Sequence, residues 1–340
     1  MSSAALVFEK AKNAFASAFE QRGQETRFRL AQHTIALKFI GPVLAEKLLP
    51  VFSHLEPAGD RDADLTICCW DDASSGISWE EPETARNSAQ VDYVDGAVRL
   101  AWAPEERNFQ ALDTVRKIGL YRIADADALP IWEESGPFRR ILHWWAAGLG
   151  FLFLHGAAVA TAHGGVVLVG ASGSGKSTTA LACVGTMLRY AADDYCLIEP
   201  EPKPTVNSIY GSGKADDPSI ARLPRLASAF RSAKRDQWDK SVISIADHFP
   251  SAIIRSFPLR AVVAPRIVSG EDCHAEALSP AECLRLMAPS TLFQLPGDRQ
   301  TSMRIMAMLV RTLPCYKLYM GNDPSMAQTV LEKLSAGGFK

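Results

Sequence analysis

Apolar residues in the opening stretch recur at steps of three and four. Phe8, Ala11, Phe15 and Phe19 form the stripe of an amphipathic helix over residues 5 to 19, one that docks on the chain's own domain. The pattern then changes to β-branched and aromatic runs, which predict strands over Thr34 to Ile40 and Leu65 to Trp70. Gln90 to Trp102 reads as two more strands joined at Asp95-Gly96, a dipeptide favoured in tight hairpin turns. Past about Pro130 a helical, Trp-rich segment begins, followed by alternating strand and helix signals. The expected division is a smaller α+β domain over 1–133 and an α/β domain over 134–340. In the second, Val166 to Val169 is a short buried strand, Lys176 to Leu188 a helix and Arg189 to Ala192 the next strand, together one βαβ unit. Helices at 279 to 288 and 301 to 311, a strand at Cys315 to Tyr319 and a last helix from Asp323 close the chain.

The run from Ile141 to Ala162 holds 22 residues without Asp, Glu, Lys or Arg, long enough to cross a bilayer. Gly148 and Gly150 interrupt its helical pattern and His143 and His155 lie inside it. It therefore predicts a buried helix followed by a buried strand, with no membrane span. Ala4-Ala-Leu-Val-Phe8 is likewise too short an apolar region for a secretory signal.

Composition narrows the picture further. A chain of 340 residues with 47% hydrophobic and 22% charged residues is neither one small module nor disordered throughout. A formal charge of −2 lacks the basic excess that electrostatic binding to nucleic acid needs, so nucleic acid is not an expected partner. Between Glu56 and Glu83 stand nine acids against Arg61 alone, which solvated loops around a strand explain. The seven cysteines show no C-x-x-C pair and no zinc spacing, and read as reduced core thiols. Cys68-Cys69 has no charged neighbour in its run to activate a thiolate. Together these features favour the cytoplasm.

The chemistry concentrates after the buried strand. Gly170, Ala171, Ser172, Gly173, Ser174, Gly175, Lys176 and Ser177 match G-x-x-x-x-G-K-[ST] in full, directly after a strand and at the head of a helix. Glycines let successive backbone N–H groups turn toward one centre, Lys176 reaches β- and γ-phosphates, and the Ser177 hydroxyl suits Mg²⁺. With Thr178, these residues are the candidate nucleotide site. Asp193-Asp194 follows 17 residues after the lysine, at the end of the next strand. Residues at the carboxyl ends of neighbouring parallel strands line one crevice, so the pair would face the nucleotide. One acid would hold Mg²⁺ and the other accept a proton from an attacking hydroxyl. The alternative is that the pair only forms a turn or a helix cap.

Leu154-His-Gly-Ala-Ala-Val159, the Gly170–Ser177 loop and Ala192-Asp-Asp194 together resemble the catalytic domain of HPr kinase/phosphorylase and related serine kinases. In that family a histidine-glycine strand precedes the phosphate loop and a double aspartate follows it. The fold is shared with phosphoenolpyruvate carboxykinase. The resemblance implies an ATP- and Mg²⁺-dependent kinase acting on a hydroxyl acceptor, a serine that is free or in a peptide or protein, in a chain that forms an oligomer. It makes Lys176 and Ser177 the phosphate and metal contacts, Asp193 and Asp194 the base and metal pair, and His155 an active-site neighbour. The order within the pair is left open; the reading adopted here takes Asp193 as base and Asp194 as metal ligand. The match spans roughly residues 151 to 200, and neither the family's amino-terminal domain nor its downstream signature loop is found. Two rival readings remain: a regulatory nucleotide-binding module without transfer, and a simple NTPase.

Two further segments keep two readings each. Ser208-Ile-Tyr-Gly-Ser-Gly-Lys214 is either a second phosphate contact through Lys214 or a flexible surface loop. Residues 221 to 240 carry a net charge of +4 from Arg222, Arg225, Arg231, Lys234, Arg235 and Lys240 against Asp236 and Asp239. That is either a solvated helix face or a surface for an acidic acceptor.

Overall fold

The computed structural model describes residues 3–77, 91–103, 107–270, 273–295, 297–321 and 323–337. Gln90 and the last three acids of the Glu56–Glu83 stretch, Glu80, Glu81 and Glu83, lie outside them. The fold is mixed α/β with three sheets among the described residues. It divides into two compact units, Met1–Pro50 with Leu55–Gly148, and Val51–His54 with Leu149–Lys340. The division after Gly148 differs from the expected one at 133/134 and leaves the Trp-rich helix in the first unit.

The first unit is built on one eight-stranded sheet. Helix α1 (Ser3–Arg22) leads into the β1 (Gly23–Leu30) and β2 (His33–Ile40) hairpin. Next come α2 (Pro42–Leu48), β3 (Glu56–Pro57), β4 (Leu65–Asp71), α3 (Asp72–Ser75), β5 (Val91–Asp95), β6 (Val98–Ala103), β7 (Asn108–Asp113) and β8 (Ile118–Ile123). The sheet order is β3-β1-β2-β4-β8-β7-β6-β5. The stripe of α1 is buried as its spacing predicts, with Phe8 and Phe15 packed among Trp70, Trp102 and Phe109. The β5–β6 turn uses Gly96 at a φ of +56°, which a residue without Cβ adopts readily. Helices α4 (Ile131–Glu134) and α5 (Arg139–Gly148) complete the unit. Ile141 of α5 lies where a Cβ on Gly119 of β8 would meet it at 2.9 Å, which is how this helix reaches the sheet. No helix among the described residues is long and apolar enough to cross a membrane.

The second unit centres on a nine-stranded sheet. Its strands are β9 (Leu152–His155), β10 (Ala157–Thr161), β11 (Gly164–Leu168), β12 (Arg189–Ala192), β13 (Tyr195–Glu199), β14 (Thr205–Ser208), β18 (Ser256–Ile267), β19 (His274–Ala277) and β20 (Cys315–Met320). A smaller sheet, β15 (Ser212–Ala215), β17 (Ser241–Ser244) and β16 (Lys234–Arg235), stands apart in that order, its stretch of chain also forming the short helices α7 (Asp217–Ile220), α8 (Ala227–Phe230) and α9 (Ile245–His248). β10 runs antiparallel to both β11 and β12, so those two are parallel with β10 between them, the crossover expected of the βαβ unit. The crossover helix α6 (Lys176–Ala182) is shorter than the expected 176 to 188. Gly185 turns at a φ of +78° and the Thr186 hydroxyl bonds the Cys183 and Leu188 carbonyls, replacing the last turns with a tight bend.

Alternation along β11 explains why that run is continuously apolar. Val166 and Leu168 enter one buried cluster with Leu181 of α6 and with Leu331 of α12 (Ala327–Ser335). Val167 and Val169 enter the other, with Met287 of α10 (Pro280–Leu292) and Leu309 of α11 (Arg299–Thr312). A strand covered by helices on both faces has no polar side. All seven cysteines are free thiols. Burial pushes the Cys68 thiol up to about 12 and that of Cys69 well above its ordinary value, which leaves both unreactive. The basic stretch 221 to 240 is no single helix face. It passes through the short helix Ala227–Phe230 into the β16–β17 hairpin, where Arg235 pairs with Asp217 and Asp239 at 2.6 and 2.8 Å.

Candidate functional site

Three motifs far apart in sequence meet because the chain turns two corners at one place. β9 pairs with β13 on one side of the sheet, whereas β10 and β12 pair on the other. The β9-to-β10 corner is His155-Gly156, and the β12-to-β13 corner is Asp193-Asp194. They are joined by the Gly156 N–H donating to the Asp194 carbonyl at 3.0 Å. A Cβ on Gly156 would stand 2.8 Å from the Leu168 carbonyl, so only glycine lets this corner lie against the strand that feeds the Gly170–Ser177 loop.

The loop itself turns on Gly170, Gly173 and Gly175 at φ values of +138°, +78° and +100°. Gly175 also sits so close to Met320 that a Cβ would approach its methyl to 2.9 Å. Lys176, only 7% exposed, folds back over the loop and donates to the Gly170 and Ala171 carbonyls at 2.8 and 3.0 Å. Burial lowers its pKa, and the nearby Asp193 and Asp194 partly restore it. Thr178 shares a hydroxyl contact of 2.9 Å with Ser219. The Ser174 hydroxyl, inside the loop, is buried without a partner.

The two aspartates occupy different environments. Asp193 is 4% exposed. Its Oδ2 accepts the Lys214 N–H at 2.8 Å, while its Oδ1 is buried with no partner. Burial, then the neighbouring Asp194, raise its pKa to about 6, against the opposing influence of Ser177 and Lys214. The Asp194 side chain is 38% exposed and forms an ion pair with the Lys214 ammonium at 2.7 Å. His155 lies opposite Tyr195 in the β9–β13 ladder, with the two rings edge to face at 5.2 Å. Burial lowers its pKa to about 4, so its imidazole is neutral near pH 7, and its Nδ1 has no partner. Polar atoms of Ser174, Asp193 and His155 without a protein partner thus lie near one loop, able to take a hydrogen bond from outside the chain.

The sequence left Lys214 with two readings and did not connect it to the aspartates. Tyr195, Tyr210, Ser212 and Lys214 line one narrow cleft with both aspartates. Lys240, at the foot of β17, is close enough to depress the pKa values of Lys176 and His155. No spacing rule points to Tyr210, Ser212 or Lys240, because strand pairing in the small sheet brings them in. Among the described residues no group of three or more His, Cys, Asp or Glu side chains is placed to hold a metal ion. Besides the His155 nitrogen, the donors near the loop are oxygens, from Ser177, Asp193 and Asp194. That set suits a hard cation such as Mg²⁺, which takes one or two carboxylates and completes its shell with water and phosphate.

No protein-family model matches the chain, and no curated protein matches it. Solved structures do match, 97 chains in all. One is the HPr(Ser) kinase/phosphatase from Coxiella burnetii, to which this chain is similar at 11% identity and a TM-score of 0.29, over 52% of this chain and 92% of that one.

Proposed function

We propose that the second unit is an ATP- and Mg²⁺-dependent phosphotransferase that moves the γ-phosphoryl group to a hydroxyl acceptor, a serine in free, peptide or protein form. The observation that carries this reading is Asp193. It is a buried acid with one oxygen unengaged, set beside a G-x-x-x-x-G-K-S loop. A module that only binds nucleotide has no use for such a group, whereas a transferase needs a base within reach of the acceptor hydroxyl. The choice of serine comes from the motif resemblance.

Each residue then has a role. Lys176 leaves the Gly170 and Ala171 carbonyls for the β- and γ-phosphates, while the loop amides hold the phosphate chain. Ser177 and Asp194 would hold Mg²⁺, which would neutralise phosphate charge. Asp193 accepts the acceptor hydroxyl's proton at Oδ1 as its oxygen attacks in line. Neutral His155 borders the acceptor side without adding charge. The test is incubation of the full chain with γ-labelled ATP and Mg²⁺ against serine, peptide and protein acceptors, with mass spectrometry of whatever gains a phosphate. Tight Mg-ATP binding with no transfer to any hydroxyl compound would favour the regulatory module instead.

A further inference from the structure

We propose that Lys214 is a built-in counter-ion that makes the divalent cation enter this site together with its nucleotide and not alone. The inference rests on the reading of the site given above and adds an order of entry to it. One residue engages both aspartates: its backbone N–H donates to Asp193 Oδ2 at 2.8 Å, and its ammonium lies 2.7 Å from Asp194 Oδ2. The backbone half of this clamp is fixed. The Ser212 carbonyl accepts the Tyr190 hydroxyl at 2.6 Å, and a Cβ on Gly213 would meet Leu181 of α6 at 2.8 Å, so β15 lies directly against the helix that begins at Lys176. The side-chain half is held only by the ion pair to Asp194, and a lysine carries its compact charge on a flexible stem that can swing to a new anionic partner.

The charges decide what can enter. Lys176, Lys214 and the nearby Lys240 outnumber Asp193 and Asp194 by one charge, so the site is formally positive. A bare divalent cation would have to displace the ammonium from Asp194 and leave three excess positive charges in a cleft where Lys214 is only 11% exposed. A divalent cation bound to a triphosphate has net negative charge. It gives the displaced ammonium a new anionic partner within reach of its tether.

Mn²⁺ is the probe, titrated into the nucleotide-free full chain and followed by electron paramagnetic resonance. Lys214→Met keeps the stem and the backbone donor while removing the charge. It should bind Mn²⁺ roughly tenfold more tightly than wild type. The same variant should bind metal-free ATP more weakly, whereas Lys214→Arg should follow wild type in both titrations. Should the Met variant fail to fold, Lys214→Gln supplies the same comparison. Mn²⁺ binding that is unchanged or weaker in the folded, charge-free variant overturns the proposal. Neither titration depends on catalysis, so absence of transfer would refute the kinase reading alone. An ATP affinity indifferent to Lys176→Ala would overturn both.

Discussion

Lys176 bonds two carbonyls of its own loop, and on the proposed function its loss would remove a phosphate contact without opening the core. Lys176→Ala should fold as wild type does and gain little thermal stability from Mg-ATP. Wild type should gain stability in proportion to ligand, as mass action requires. Equal shifts in paired melts would remove the phosphate-loop assignment. Asp193 yields a prediction of opposite sign. Its folded pKa of about 6 stands above an ordinary value of 3.8, so the folded state holds this proton more tightly than the unfolded state does. Stability from this group is therefore lost as pH rises from about 4 to 6, and the full penalty applies above that window. At 1.36 kcal/mol per pKa unit the upper bound is about 3 kcal/mol. Asp193→Asn should raise the melting temperature at pH 7 to 8 and give no gain near pH 4, while lowering transfer roughly 10²- to 10⁴-fold. A variant no more stable than wild type at neutral pH would mean that burial is not straining this acid. The nearness of Lys176 and Ser177 to the aspartates was legible in the sequence, because the loop and the acid pair follow the two strands of one βαβ unit. Lys214 was not, because Ser208 to Lys214 has the composition of any flexible loop and only pairing with Ser241–Ser244 makes part of it a strand.

At the scale of elements, apolar periodicity located the strands around the site but not the corners that join them. The run after Phe151 reads as one buried strand, yet it is two, β9 and β10, broken at Gly156. A glycine within an apolar run signals a break only through the backbone that approaches it, here the Leu168 carbonyl. The α6 terminus was misjudged for a related reason: Cys183, Val184, Met187 and Leu188 keep an apolar pattern, and the helix nevertheless stops before them. Gly156→Ala tests the corner. The added methyl must push His155-Gly156 away from Leu168 or distort β11, at a cost of about 1–3 kcal/mol for overpacking. Because the same corner holds the Asp194 carbonyl, nucleotide affinity should fall along with the melting temperature. Reduced stability with unchanged Mg-ATP affinity would show that the corner supports the fold without positioning the site.

Across the whole molecule, the change in texture near residue 130 marks the start of the helices α4 and α5, whereas the boundary between units lies after Gly148. The sequence did not reveal this because α5 is as apolar as a core helix of either unit, and its place depends on Gly119 admitting Ile141. Nor does any pattern show that Val51–His54, embedded in the first part of the chain, belongs to the second unit. These four residues hold up the segment that precedes Lys214. The Val51 carbonyl accepts the Gly211 N–H at 2.8 Å, Phe52 lies 5.7 Å from the Tyr210 ring, and His54 is 2.9 Å from the Ser208 hydroxyl, which in turn donates to the Ala191 carbonyl at 2.6 Å. A fragment beginning at residue 149 would leave the Gly211 donor unpaired and the Tyr210 ring uncovered, losses of about 1–3 kcal/mol for the donor alone. The fragment 149–340 should therefore melt below the corresponding transition of the full chain and bind Mg-ATP more weakly. His54→Ala in the full chain keeps Val51 and Phe52, and should fall between the two. If the fragment binds Mg-ATP as tightly as the full chain, residues 51–54 cover the second unit without shaping its site.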